Sequence, residues 1–317
     1  MDAFLIMLRS IAIFVALAVP GYLLVKKGTL PADSSGILTT VLVKAGLPFL
    51  VISNMLKANI GPETARNMLL TALVYLTVLL LLYRCGGILL GKRTEQSTRV
   101  VERGAVTFPN GAFFGLPLCI TVFGSASDVT TYTIVTSVLC LLLLNSLGIY
   151  MMSGDRSTVS VKGILTNPVL IAVVIGLGFN LLGIGRRLPE IADFSGYLGG
   201  LVTPLSMVIL GMKLAAVRFG EILGSRRGYL ISALRLLLSP VLGVGLALLL
   251  RLVLPVPDEA VLALFFSVSM PTATRVTAFA DRFRQDTRAA VIDTLLSTLL
   301  SVVTIPLLYM GLTAILR

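Results

Sequence analysis

The stretch Gly104-Ala105-Val106-Thr107-Phe108-Pro109-Asn110-Gly111-Ala112-Phe113-Phe114-Gly115-Leu116-Pro117 concentrates the residues best suited to hold a polar solute in apolar surroundings. Pro109 has no N–H and its ring clashes with the carbonyl four residues back, so a helix running through it should kink or break. Backbone groups freed in hydrocarbon are costly unless they line a cavity or meet another helix. Asn110 sets a donor and an acceptor beside that break, and Gly111 follows it. A second stretch repeats the idea with Ser267, Ser269, Pro271, Thr272, Thr274 and Arg275. If Pro271 opens a half-helix, the N–H groups of Thr272, Ala273 and Thr274 point outward with the positive dipole end, an anion site. Arg275, one turn on, would add a bidentate donor for a carboxylate.

Each of these residues also has a plainer reading. A proline kink in a membrane helix often only shapes packing. Arg275 could pair with Asp281, reach a lipid headgroup or contact substrate. Ser53 and Asn54, just past Pro48, either line the same cavity or make helix–helix hydrogen bonds. Glu102 and Arg103 read as a gate or a snorkelling pair, and Gly86-Gly87 and Gly176-Leu177-Gly178 as close-packing sites. Asp293 is the ion-coupling candidate, weighed against a structural partnership near a helix end. Arg9, Lys44 and Arg235 are further ionisable groups within apolar stretches.

The elements that must position these residues follow from composition. The 317 residues are 56% hydrophobic and 13% charged, about half the charge a soluble domain carries. Apolar stretches run ~20–25 residues between polar breaks, enough to cross ~30 Å of hydrocarbon. We read ten spans: 3–25, 34–56, 66–91, 98–123, 128–152, 161–184, 190–214, 228–253, 258–281 and 288–315. The longest hydrophilic interval, Ser153 to Lys162, separates two sets of five. Alternate loops carry fourteen Lys and Arg against five on the other side, which predicts both termini outside the cytoplasm. No cleavable signal peptide is expected, because Lys26 and Lys27 follow the first apolar stretch. Five spans per half would invert one half relative to the other. Pro48 and Pro204, and Pro109 and Pro271, recur at near half-length offsets, the pattern of interrupted helices around a transporter site.

The same counts exclude much. The net charge of +11 is dispersed in short loops, which argues against nucleic acid. With no His and three scattered cysteines (Cys85, Cys119, Cys140), we expect no metal site, no disulfide framework and no cofactor. No nucleophile–base pair suggests an enzyme, and no charge ring or carbonyl filter suggests a channel.

Phe108-Pro109-Asn110-Gly111-Ala112-Phe113-Phe114-Gly115-Leu116-Pro117 resembles the signature of the auxin efflux carrier family, a Pro-Asn followed by Gly-x-Pro. Gly46-Leu47-Pro48, Asn167-Pro168, Leu210-Gly211-Met212, Met270-Pro271, Ser297-Thr298-Leu299-Leu300-Ser301 and Ile305-Pro306 continue the likeness along the chain. The resemblance implies an all-α integral membrane protein of ten transmembrane helices. These would form two inverted five-helix repeats, residues 1–153 and 157–317, with broken crossover helices 4 and 9. Scaffold and transport domains would each draw on both repeats. It implies a secondary transporter of a small organic anion, a mono- or dicarboxylate, bound at Pro109, Asn110, Pro271 and Thr272, with Ser53 and Asn54 in rough register. Plant exporters carry an amide where this chain has Thr272, and many have a long central loop that is short here. A compact, prokaryote-type member in the plasma (inner) membrane is the expectation, with sodium or a proton as candidate coupling ions and a homodimer as candidate assembly. A sodium-coupled symporter of the bile-acid type is the alternative.

Overall fold

The computed structural model describes residues 2–31, 33–91 and 95–316. Lys92 and Arg93, two of the loop cations counted above, lie outside the described residues, as does the side chain of Arg186. All elements of the described residues are helical, apart from one isolated antiparallel bridge between Pro109 and Thr272. In hydrocarbon a helix satisfies its own backbone, which is why so apolar a chain folds this way.

In chain order the main helices are α1 (Asp2–Lys26), α2 (Ser34–Lys57), α3 (Pro62–Leu89), α4 (Gln96–Thr107), α5 (Gly111–Phe123) and α6 (Asp128–Ser153). There follow α7 (Pro168–Leu181), α8 (Pro189–Ala215, stepped at Gly200 and Leu201) and α9 (Arg226–Leu250). The last are α10 (Asp258–Val268), α11 (Thr274–Arg282) and α12 (Thr287–Ile315). Among the described residues, eight helical stretches are long and apolar enough to cross a membrane. The two remaining intervals are each broken in the middle, into α4 and α5 and into α10 and α11. Helices thus occupy all ten intervals read from the sequence, and the two with mid-span prolines Pro109 and Pro271 are the broken ones.

Some prolines follow a widened turn, whereas Pro20 and Pro306 sit inside unwidened α-helix. Three π-turns, Leu42–Gly46, Gly111–Gly115 and Leu234–Leu238, end two residues before Pro48, Pro117 and Pro240. The carbonyl each ring would strike, at Lys44, Phe113 and Leu236, falls inside the widened turn, where the clash is relieved. A fourth π-turn, Leu144–Gly148, has no such proline. These turns carry Lys44, Asn145 and Arg235, or begin just past Asn110; of these, Arg235 and Asn110 are buried and Lys44 is exposed.

Packing follows small residues. A Cβ on Gly211 of α8 would overlap the Ala18 carbonyl of α1, and one on Gly21 would overlap the Val208 carbonyl, so α1 and α8 meet backbone to backbone. Gly86 and Gly87 lie under Arg103, and Gly176 meets Ile52 and Met55, as close-packing sites should. Gly178 faces open space and packs nothing. One apolar core joins α2, α7 and α8 to α5 and α6. A larger one joins α1, α3, α4, α6 and α9 to α12. Of the broken helices, α5 contributes to both cores, whereas α4, α10 and α11 pack in the larger one.

Candidate functional site

At the breaks the two chains cross in extended form. Asn110 N donates to Pro271 O at 2.7 Å, and Ala273 N donates to Phe108 O at 2.9 Å. The prolines cannot donate, so the bridge is closed by their neighbours. Four helix ends meet here: the C-terminal ends of α4 and α10 and the N-terminal ends of α5 and α11.

The last four carbonyls of α4 all find donors, and so does the final carbonyl of α10. Gly104 O accepts from Phe108 N at 2.9 Å, and Ala105 O accepts from the Thr272 hydroxyl at 3.0 Å. Val106 O and Thr107 O accept from Arg235 Nη1 at 2.7 and 3.2 Å. Val268 O accepts from Arg235 Nη2 and from Ser239 Oγ. Helix ends normally leave such groups unpaired, and here tertiary donors take Ala105 O, Val106 O, Thr107 O and Val268 O.

The N-terminal ends are left open. The α5 start has no side-chain cap, so the first-turn N–H groups of Gly111, Ala112 and Phe113 lack intrahelical acceptors. Asn110 O takes the next two donors, from Phe114 and Gly115. The α11 start is likewise uncapped, with Thr274 and Arg275 at its first positions. The anion site read at Thr272, Ala273 and Thr274 is therefore narrower than expected. Thr272 N donates to Ser297 Oγ at 3.1 Å and Ala273 N to Phe108 O, which leaves Thr274.

Two narrow pockets of about 10 Å³ flank the crossing. One is bordered by Thr39, Asn110, Ser206 and Thr274; the other by Asn110, Ser137, Cys140, Ala273 and Arg275. Asn110 borders both, and its carboxamide has no partner among the described residues. Ser137 Oγ is buried with no partner. Arg275 donates to Asn145 Oδ1 at 3.1 Å, with its guanidinium 5.6 Å from the Phe279 ring, so Asp281 is not its partner. Beyond lies a vestibule of about 820 Å³, lined by Thr39, Lys44, Lys213, Thr274, Arg275 and Thr277 among others. That volume suits a small ligand. Three cations, Lys44, Lys213 and Arg275, face two acids there, Asp33 and Asp281, and Lys213 Nζ donates to Thr277 Oγ1 at 3.2 Å.

The remaining candidates sit elsewhere. Ser53 donates to Ala192 O at 3.0 Å and Asn54 to Leu50 O at 2.6 Å; neither borders these pockets. Thr272 is fully buried, its hydroxyl committed to α4. Glu102 and Arg103 do not pair with each other. Both carboxylate oxygens of Glu102 accept from Arg227, from Nε at 2.6 Å and from Nη2 at 2.8 Å, while Arg103 donates to Tyr83 O and lies over its ring. Asp293 is buried on α12 with Oδ2 unpartnered. Sequence reasoning missed Ser137, Asn145 and Thr39, which are ordinary polar residues of apolar helices. Their spacing gives no signal, because only the crossing brings them together. Among the described residues no His, Cys, Asp and Glu cluster could hold a metal.

The family model described as membrane transport protein matches residues 5–164 and 157–309. An uncharacterized transporter of Methanothermobacter thermautotrophicus (strain Delta H) is 27% identical over 299 residues, covering 90% of this chain and 92% of that protein. Multiple apolar helices, two of them broken where a solute could lodge, agree with both matches. The chain belongs to the membrane transport protein family, the auxin efflux carriers that its motifs resemble, and is a multi-pass membrane transporter.

Proposed function

We propose that this transporter moves a small organic anion, a mono- or dicarboxylate, by alternating access. One observation carries the reading: two uncapped helix starts, the unpartnered Asn110 and Ser137 side chains and the Arg275 guanidinium converge at the inner end of the vestibule. Helix N-termini and a cation favour negative charge. Asn110 and Ser137 supply neutral hydrogen bonds that orient it, and Thr272, with Pro109 and Pro271, holds the crossing in shape.

The architecture we propose is that of ten transmembrane helices in two inverted repeats, residues 1–153 and 157–317. α1, α2, α7 and α8 act as scaffold, and the broken helices with their neighbours act as the moving domain of an elevator. The vestibule opens beside Asp33, Ala216 and Thr287, at the end with the cation-rich loops. With termini outside the plasma membrane, this is an inward-open state. Asp293 is the candidate ion-coupling site, a buried ionisable group on α12 whose Oδ2 accepts no hydrogen bond among the described residues.

The test is charge movement on a solid-supported membrane with purified protein in proteoliposomes. The panel is malate, other small carboxylates and indole-3-acetate, with and without sodium and a pH gradient. Currents with a carboxylate that fall at least about tenfold in apparent affinity in Asn110→Ala and Arg275→Ala match the loss of charge-assisted hydrogen bonds. Silence across the panel with folded protein would sink the carboxylate reading. Currents that need sodium would favour the bile-acid type of symporter.

A further inference from the structure

The largest fully buried side chain among the described residues is a cation, Arg235. It sits on the π-turn Leu234–Leu238 of α9 and reaches into the crossing. Nη1 donates to Val106 O at 2.7 Å and to Thr107 O at 3.2 Å, both on the last turn of α4. Nη2 donates to Val268 O, the last residue of α10, and to Ser239 Oγ, which itself donates to Val268 O at 2.8 Å. One guanidinium therefore bridges the C-terminal ends of both broken helices.

The charge balance is telling. Each helix C-terminus carries about half a negative charge, so two ends facing one point present roughly one. The ion pairs among the described residues join Arg66 to Glu63, Arg227 to Glu102, Arg251 to Asp258 and Arg288 to Glu221, and none includes Arg235. Main-chain carbonyls and the Ser239 hydroxyl meet its charge. A cluster of main-chain carbonyls between broken membrane helices is the environment in which transporters hold a coupling cation.

We propose that Arg235 is a resident cation: its guanidinium takes the place between the α4 and α10 ends that a bound metal ion would otherwise fill, so the carrier needs no metal cation there. A tethered charge cannot dissociate into either compartment, so no sodium gradient enters transport at this point. The two negative ends are neutralised permanently, while the two positive ends stay open toward the pockets. The inference rests on these bonds alone and does not depend on the substrate being an anion.

The test needs no substrate. Thermal unfolding of the purified full chain is followed with a thiol-reactive dye, which reports exposure of the buried Cys119 and Cys140. Sodium, lithium and potassium chloride are compared with N-methylglucamine chloride at equal ionic strength. The native protein should unfold at one temperature, within about 1 °C, in all four salts. Arg235→Ala should unfold lower and recover about 2 °C or more with about 10 mM methylguanidinium or sodium, which leave the native protein unmoved. A merely space-filling side chain would show no such rescue. Arg235→Lys should lie between native and Arg235→Met, because it keeps the charge with fewer donors.

Sodium-specific stabilisation of the native protein equal to that of Arg235→Ala would overturn the proposal. So would an Arg235→Ala protein as stable as native without any added cation, or Arg235→Met matching Arg235→Lys. Should no variant fold, the native salt comparison decides alone: a sodium-specific shift overturns the proposal, and its absence sustains it.

Discussion

Replacing Thr272 by Val separates the support of the crossing from its substrate contacts. The Thr272 hydroxyl donates to Ala105 O at 3.0 Å, both residues are fully buried, and the side chain borders none of the crossing pockets. Val has nearly the shape of Thr, so no cavity forms. What disappears is one hydrogen bond, and Ala105 O is left unpaired where no water reaches. Such an orphaned group costs about 1–3 kcal/mol. At ~2.1 cal/mol/K of unfolding entropy per residue, one kcal/mol moves the unfolding temperature of a chain of 317 residues by about 1.5 °C, so a drop of about 1.5–5 °C is expected. Thr272→Ser keeps the donor and should unfold near native. The neighbouring bond from Thr272 N to Ser297 Oγ makes Ser297→Ala the natural partner in a double-mutant cycle. Coupling of at least about 0.5 kcal/mol is expected for groups sharing one network. The assay is the dye-based unfolding scan beside carboxylate currents, whose apparent affinity should stay within about threefold because the hydroxyl is committed elsewhere. An unchanged unfolding temperature with affinity falling tenfold would refute this reasoning and return Thr272 to the substrate.

Three further outcomes are expected. Gly211→Val should drive α8 off the Ala18 carbonyl of α1 at a cost of about 3 kcal/mol or more, read as loss of the monodisperse peak in size-exclusion chromatography. Arg227→Met should strand the buried Glu102 carboxylate and destabilise by about 3 kcal/mol, the low end for a buried pair because Arg227 keeps solvent contact. Adding Glu102→Gln should recover part of that loss, and a double variant no better than the single one would contradict it. Asp293→Asn replaces a buried ionisable group that has an unpartnered oxygen with a neutral amide, so stability should hold or rise. If Asp293 carries the coupled proton, the same substitution should flatten the pH dependence of the currents, whereas an unaltered profile would remove it from that role.

The amino-acid sequence by itself determined the helical membrane character, because a chain so apolar over repeated ~20-residue stretches has no other way to satisfy its backbone. It also located the two breaks. Pro109 and Pro271 lack an N–H wherever they sit, and that deficit is local. Asn110 and Arg275 were visible for the same reason, as polar residues beside a break. What each polar group meets was decided only by the tertiary structure. Thr272 looked like a substrate ligand until the antiparallel bridge turned its hydroxyl onto Ala105 O. Arg275 found Asn145, and Glu102 found Arg227, partners about 125–130 residues away whose approach no spacing announces. Arg235 was one of several ionisable residues in apolar stretches. Its bonds to two helix ends exist only because α4 and α10 stop at the same point, and that coincidence belongs to the fold.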